Sequence, residues 1–280
     1  MIDQNLYERK RLPLSGSRPI QNMKLQKLLS LTRKAVDEFK MIQPKDRIAV
    51  GISGGKDSMA LLYALSGLRR FYPSPFEIEA VTVSLGFESF DLEPVKALCR
   101  ELGVSYTVVS TDIGRIIFQD RKEENPCSLC AKMRKGAFNE KARELGCNKI
   151  AYAHHKDDVI ETMLMSLILE GRFHTFSPVT YLDRTELTLI RPLIYVDEAD
   201  VKGFINKYQV PTVKNPCPAD GYTQREYAKN LLSRLNQEQP GARERMFTAI
   251  LKGNFSGWDK RTPKKKREKS LPSPTPSADA

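Results

Sequence analysis

Several features are missing from this 280-residue sequence, and each absence removes a class of protein. No stretch approaches the roughly 18 consecutive apolar residues of a membrane-crossing helix. No apolar export signal opens the chain, so a cytoplasmic setting without a membrane partner is expected. Cysteine is sparse: Cys99, Cys127, Cys130, Cys147 and Cys217 are all there are. Without an export signal they do not read as a disulfide scaffold, which leaves metal ligation, redox chemistry or plain burial. Internal repeats are absent. Acidic residues are scarce only at the two ends. Residues 1–45 carry ten Lys/Arg against four Asp/Glu, and residues 252–280 carry eight against three, whereas residues 46–251 balance at 27 of each. The net charge of +11 is therefore carried by the ends, as in a chain whose termini touch a polyanion such as nucleic acid.

The stretch Ile48-Ala49-Val50-Gly51-Ile52-Ser53-Gly54-Gly55-Lys56-Asp57-Ser58 organises the rest. Ile48, Val50 and Ile52 are the β-branched residues of a buried strand, and Met59 to Leu65 continues as an apolar helical run. Between them lies a turn of small and hydroxyl side chains. Backbone amides at such a turn, with the positive end of a helix dipole, make an anion site. Gly54 and Gly55 let a phosphate approach the backbone. The spacing is neither that of a Walker A loop nor Gly-x-Gly-x-x-Gly. Ser53-Gly54-Gly55-Lys56-Asp57-Ser58 instead resembles the pyrophosphate loop of the ATP pyrophosphatases, which adenylate a substrate oxygen and release pyrophosphate.

Periodicity predicts an α/β fold, a parallel doubly wound sheet with helices on both faces. A helix over 22–41 leads into the first strand. Strands follow at 77–84, 104–109, 149–153 and 187–190, and helices at 92–102, 128–145, 157–169, 197–208 and 223–252. Ligands in such folds lie at the carboxyl ends of strands, where the loop, Ser84, the segment before Cys127 and His154-His155 all fall. The expected organisation is a basic N-terminal arm and helix (1–45), an ATP-binding domain with a Cys-x-x-Cys insertion (46–222), C-terminal helices (223–253) and a basic disordered tail (254–280).

Asn125-Pro126-Cys127-Ser128-Leu129-Cys130 opens a helix, where thiols ionise more readily. Asn215-Pro216-Cys217-Pro218 repeats the Asn-Pro-Cys form far downstream, but Asp220 stands where a second cysteine would complete a pair. Structural zinc, a redox or persulfide pair, and an iron–sulfur cluster with one open iron all remain compatible with this spacing. Cys99 and Cys147 read as buried. Further on, Ala153-His154-His155-Lys156-Asp157-Asp158 places two carboxylates at a helix start, either as caps or facing a nucleotide with Mg²⁺. Arg191, in Arg191-Pro192-Leu193, is positioned to pair a phosphate or to order its loop.

Pro126-Cys127-Ser128-Leu129-Cys130 with Arg134 and Gly136, together with the phosphate loop, resembles the tRNA 2-thiocytidine synthetase family over about residues 22–236. His154-His155-x-Asp157-Asp158-x-x-Glu161-Thr162 is similar to that family's second ATP motif. The resemblance implies a [4Fe–4S] cluster on Cys127, Cys130 and Cys217, although many members carry a second late Cys-x-x-Cys that is Cys-Pro-Ala-Asp here. It further implies that Ser53, Gly54, Gly55, Asp57, Ser58, Ser84 and His155 bind ATP and that Asp157 and Asp158 hold Mg²⁺. Lys56, Asp57, Arg134 and Asp158 are then the candidate catalytic groups. The implied reaction adenylates the C2 oxygen of cytidine 32 in a tRNA and replaces it with sulfur. Alternatives are thiolation of another tRNA base, or a nucleotide-binding protein with a structural zinc or iron–sulfur site. A sulfur donor such as a cysteine desulfurase and assembly as a homodimer complete the expectation.

Overall fold

The computed structural model describes residues 23–87, 91–120, 126–213, 224–253, 255, 257 and 258. The expected arm, Cys217 and the tail beyond residue 258 lie outside them. Six strands form one sheet: β1 (Asp46–Gly51), β2 (Phe76–Ser84), β3 (Ser105–Ser110), β4 (Lys149–Ala151), β5 (Val179–Leu182) and β6 (Leu187–Ile190). Their order is β3-β2-β1-β4-β6-β5. The β1, β2, β3, β4 and β6 pairings are parallel, and β5 runs antiparallel to β6 at the edge.

The helices are α1 (Met23–Glu38), α2 (Lys56–Arg69), α3 (Glu93–Leu102), α4 (Pro126–Glu144), α5 (Lys156–Glu170), α6 (Glu198–Tyr208), α7 (Gln224–Glu238) and α8 (Ala242–Lys252). A short turn at Ile113–Arg115 runs into a π-helical turn at Ile116–Asp120 before α4. Strand alternation divides the core in two. Ile48 and Val50 of β1 face one cluster with Leu61, Leu65, Val159 and Phe204, whereas Ala49 faces the other with Val81, Phe138 and Ile150. Burial on both faces explains why β1 reads as an unbroken apolar run.

The sheet departs from expectation at β5, which the sequence reading missed. Tyr181 is 54% exposed there, and the turn into β6 places Glu186 at φ 55 without a glycine to signal it. The single helix expected over 223–252 is two, α7 and α8, separated at Pro240-Gly241, with Gly241 at φ 82. Proline removes an amide donor and glycine takes the left-handed conformation, so the axis breaks there. The first helix ends at Glu38 rather than 41.

Helix α1 belongs to the main core: Leu25, Leu28, Ala35 and Val36 are buried in the same cluster as α2 and α6. Leu28→Ala is therefore expected to cost roughly 2–5 kcal/mol, read as a lowered denaturant midpoint. A loss under ~0.5 kcal/mol, the range of surface substitutions, would mean that α1 is only loosely docked.

Candidate active site

Strand β1 pairs with β2 on one side and β4 on the other, so the loops that follow β1 and β4 face each other across the point where the winding reverses. The loop after β1 is closed by its own hydroxyls. The Ser58 hydroxyl donates to the Gly55 carbonyl (2.9 Å), Ser53 Oγ lies 3.2 Å from Ser58 Oγ, and the Gly55 amide donates to Ser53 Oγ (3.3 Å). Gly54 has φ +81, and a Cβ there would lie 3.0 Å from the Cβ of Val213. The Val213 amide donates to the Gly54 carbonyl at 2.8 Å. Gly55 caps α2 without any side-chain hydrogen bond, so the first amides of that helix keep their capacity for an anion.

Across the crevice, His155 caps α5 reciprocally with Asp158. His155 Nδ1 accepts from the Asp158 amide (3.4 Å), and the His155 amide donates to Asp158 Oδ2 (2.9 Å). With Nδ1 accepting, Nε2 is the ring nitrogen that donates. That nitrogen stands 3.7 Å from Asp57 Oδ1, a buried oxygen with no hydrogen-bond partner among the described residues. Asp57 Oδ2 pairs with Lys56 Nζ (2.8 Å), which also reaches Glu198 Oε1 at 3.2 Å. Burial works against the Lys56 charge, but Asp57 and Glu198 outweigh it and raise its pKa. Burial likewise opposes ionisation of Glu198, yet Lys229, Lys202 and Lys56 overcome it and hold the carboxyl down at about 2.

The two acids of the second motif have different surroundings. Asp157 is 2% exposed, with Oδ2 accepting from the Glu198 amide (2.7 Å) and Oδ1 paired with Arg243 Nη1 (3.0 Å). Both of its oxygens are thus occupied by protein donors, at the start of α6 and on α8. Asp158 Oδ1 meets Arg225 Nη1 at 3.2 Å. Arg225 also approaches Glu161 (3.5 Å), whose carboxyl is pushed up to about 7 by burial and then by the neighbouring Asp158 charge, against the pull of Arg225. The carboxylate with a spare oxygen at the loop is Asp57, not Asp157.

Cys127 is exposed and Cys130 half-buried on the first turns of α4, three residues apart and so on one face of the helix. Arg134 follows on α4, and its charge reaches the Tyr152 hydroxyl beyond β4; burial pushes that phenol up to about 12 against Arg191 and Arg134. Ser84 ends β2, its Oγ accepting from the Gly86 amide at 3.4 Å. Cys99 and Cys147 are buried as expected, and burial pushes both thiols up to about 11. Among the described residues no group of three or more His, Cys, Asp or Glu is placed to hold a metal ion. Cys217 lies outside them, but its segment begins directly after Val213, the residue hydrogen-bonded to the phosphate loop.

Arg191 takes the loop-ordering alternative. Its Nη1 donates to the Ser177 carbonyl and to Thr180 Oγ1, and its Nε donates to His154 Nδ1 (3.3 Å). Val213, Glu198, Arg225 and Arg243 went unrecognised as site residues. They act on positions 31 to 159 residues away in sequence, and no local pattern marks them.

A phosphate loop and a capped helix facing each other at this switch point define the PP-loop class of nucleotide-binding proteins, and the PP-loop domain model matches residues 22–235. The chain belongs to that class and, within it, to the tRNA-cytidine(32) 2-sulfurtransferase family. The relative of that name from Geobacter sulfurreducens is 37% identical over 234 residues, 82% of this chain and 91% of the relative. The one from Pelobacter propionicus is 38% identical over 78% of this chain and 82% of its own. In fold, the chain is similar to the U34-tRNA thiolase NcsA from Methanococcus maripaludis, solved with its [4Fe–4S] cluster. The TM-score is 0.67 at 23% identity, covering 84% of this chain and 80% of the other.

Two outcomes follow from this geometry. Gly54→Ala combines a strained backbone with a clash against Val213, so ATP affinity is expected to fall at least ~10-fold by calorimetry, a penalty of about 1.4 kcal/mol. Unchanged affinity would show that the loop does not carry the phosphates. For Glu161 the folded pKa, about 7, lies above the ordinary 4.5, so the folded state holds a proton that the unfolded state has released. Stability should therefore fall as pH rises from about 4.5 to about 7 and then level off, and Glu161→Gln should flatten that decline. Denaturant midpoints at pH 5 and pH 8 measure the difference. An equally steep decline in the variant would assign it to other groups.

Proposed function

We propose that this chain is an ATP-dependent tRNA sulfurtransferase that replaces the C2 oxygen of cytidine 32 with sulfur. The observation that carries this reading is the pairing of the two ATP motifs across the switch point. Asp57, with an oxygen that has no partner among the described residues, stands opposite His155 beside the first amides of α2, and Val213, four residues before Cys217 in sequence, is hydrogen-bonded to the same loop. The particular base comes from the family, whose members are named for cytidine 32.

The phosphate loop from Ser53 to Ser58 would hold the β- and γ-phosphates of ATP on its backbone amides and hydroxyls. Asp57 Oδ1 is the oxygen suited to Mg²⁺, with Asp158 the nearer of the two second-motif acids. His155 Nε2 donates towards the same space. Attack of the cytosine C2 oxygen on the α-phosphate expels pyrophosphate and leaves an adenylated base. Lys56, released from Asp57 by the incoming cation, would offset charge on the departing phosphates, and Arg134 would act from the α4 side. Sulfur then takes the place of the adenylated oxygen and AMP leaves. Cys127, Cys130 and Cys217 are the residues that would hold a [4Fe–4S] cluster. Bound there, a three-thiolate cluster supplies an iron with an open coordination position for sulfur. An exposed and a half-buried thiol on one helix face suit such a group, whereas the two deeply buried thiols do not. The remaining assignments are a cysteine desulfurase as sulfur donor, a cytoplasmic setting and a homodimer. Leu167, Ile168 and Leu169, all exposed at the end of α5, offer an apolar face for the dimer. No helix among the described residues is long and apolar enough to cross a membrane.

The test uses the full chain purified without oxygen. The wild type should absorb broadly near ~400 nm, release pyrophosphate only with added tRNA, and yield 2-thiocytidine in that tRNA by mass spectrometry. Cys127→Ala and Cys217→Ala should each lose the absorption and the thiolated nucleoside while still binding ATP. A colourless wild type that thiolates tRNA would remove the cluster and keep the enzyme. An ATP-binding chain that leaves tRNA unmodified would remove the enzyme.

A further inference from the structure

A cavity of ≈ 600 Å³ opens beside the nucleotide crevice, in the loop between α5 and β5 and against the start of the segment after β6. Its lining combines three phenyl rings, Phe173, Phe176 and Phe255, with the polar His174, Thr175, Ser177 and Thr180 and the guanidinium of Arg191. The Arg191 guanidinium lies on the Phe176 ring, with Cζ 4.7 Å from the ring centroid. It is only 7% exposed and has no carboxylate partner among the described residues. Its Nε and Nη1 are fixed by His154, the Ser177 carbonyl and Thr180, whereas Nη2 makes no hydrogen bond among those residues. Behind it, His154 stacks on Phe176 at 4.7 Å. Burial and then the Arg191 charge push the His154 pKa down to about 4, so the ring is neutral and serves as an acceptor for Arg191.

This lining suits a flat, uncharged, hydrogen-bonding ring. A purely apolar ligand would offer no acceptor to Arg191 Nη2, the one guanidinium nitrogen without a hydrogen bond among the described residues. A ring with a carbonyl edge satisfies Nη2 and stacks on the phenyl faces, as unpaired bases do on aromatic side chains. Place agrees with chemistry. Arg191 directly follows β6, at the same carboxyl edge of the sheet as the phosphate loop, and His154 adjoins His155. Phe255 lines one side, and Trp258 Nε1 donates to the carbonyl of the lining residue Phe176 (3.2 Å). Beyond Trp258 the sequence carries seven Lys/Arg and three Asp/Glu, a net +4 suited to RNA phosphates.

We propose that this cavity receives one unpaired pyrimidine of the RNA substrate, stacked on Phe173 and Phe176 with Arg191 Nη2 donating to a base carbonyl. This rests on the sulfurtransferase reading, under which the pyrimidine is cytidine 32 itself. Phe173 supplies an exposed stacking face (73% exposed), so Phe173→Ala should leave the fold intact. Arg191 acts as a donor and as part of the cavity floor, so Arg191→Lys keeps the charge but loses the planar stack.

The experiment titrates the full chain into a tRNA transcript carrying fluorescent pyrrolocytosine at position 32. Sulfur incorporation into unlabelled tRNA is followed in parallel by mass spectrometry. Wild-type binding should quench the probe. Phe173→Ala should abolish most of the quenching and weaken binding about five- to tenfold, the range for loss of one stacking face. ATP affinity and melting temperature should stay at wild-type values in that variant, and Arg191→Lys should show the same loss of quenching. Quenching that persists in Phe173→Ala would overturn the cavity assignment. Tight tRNA binding without quenching in the wild type would overturn it as well. In both cases, thiocytidine formed by the wild type would leave the sulfurtransferase reading standing. Absence of thiocytidine from a cluster-loaded wild type that still quenches the probe would overturn that reading and keep the base pocket.

Discussion

A backbone hydrogen bond from the Val213 amide to the Gly54 carbonyl ties the phosphate loop to the segment after α6. Gly54 sits at φ +81, a left-handed conformation that a residue with a side chain adopts only under strain. The side-chain space at Gly54 is taken by Val213, so loop and partner are matched to each other. Through this contact the nucleotide loop near the start of the sheet is joined to the segment leading to Cys217 near its end.

Electrostatics extend that connection to the C-terminal helices. Three acids near the crevice would repel one another if left bare: Asp157, Asp158 and Glu198. Each is met by cations from a different part of the chain, with Arg243 on Asp157, Arg225 on Asp158, and Lys56, Lys202 and Lys229 on Glu198. Buried or half-buried carboxylates cost less when paired and hydrogen-bonded, which gives α7 and α8 their place against α5. Lys56 takes part in both arrangements, pairing Asp57 within the loop and Glu198 outside it. A ligand that takes up Asp57 changes the balance felt by the whole group.

Much of the fold was legible because local periodicity and burial agree. The strand Ile48–Val50 is apolar on both faces, and both faces are covered. The helix after Gly55 is apolar nearly all round, and all of Ser58 to Leu68 is buried. Where exposure removes the pattern, legibility fails. The edge strand β5 is half-polar and returns through a turn without glycine, whereas the break between α7 and α8 is marked by Pro240-Gly241, a signal outweighed by the apolar helical spacing on either side of it. At the site, the hydroxyls, glycines and acids of the two motifs were readable from their spacing. Their uses were not: Asp157 reads as a metal ligand by position, yet its oxygens are held by the Glu198 amide and Arg243.

By itself the sequence determined the phosphate loop, because glycines free to take φ > 0 and small hydroxyl residues, set between a buried strand and a helix start, leave helix amides open to an anion. It determined equally which cysteines are buried, from their place in amphipathic or apolar stretches, and which open a helix. Tertiary structure alone decided which carboxylate keeps a spare oxygen, which histidine faces the nucleotide crevice and which braces Arg191, and that an aromatic cavity stands next to both. Those outcomes depend on contacts between residues tens to more than a hundred positions apart. Side-chain direction at such distances is set by packing and charge pairing across the fold, and neither is written in any local pattern.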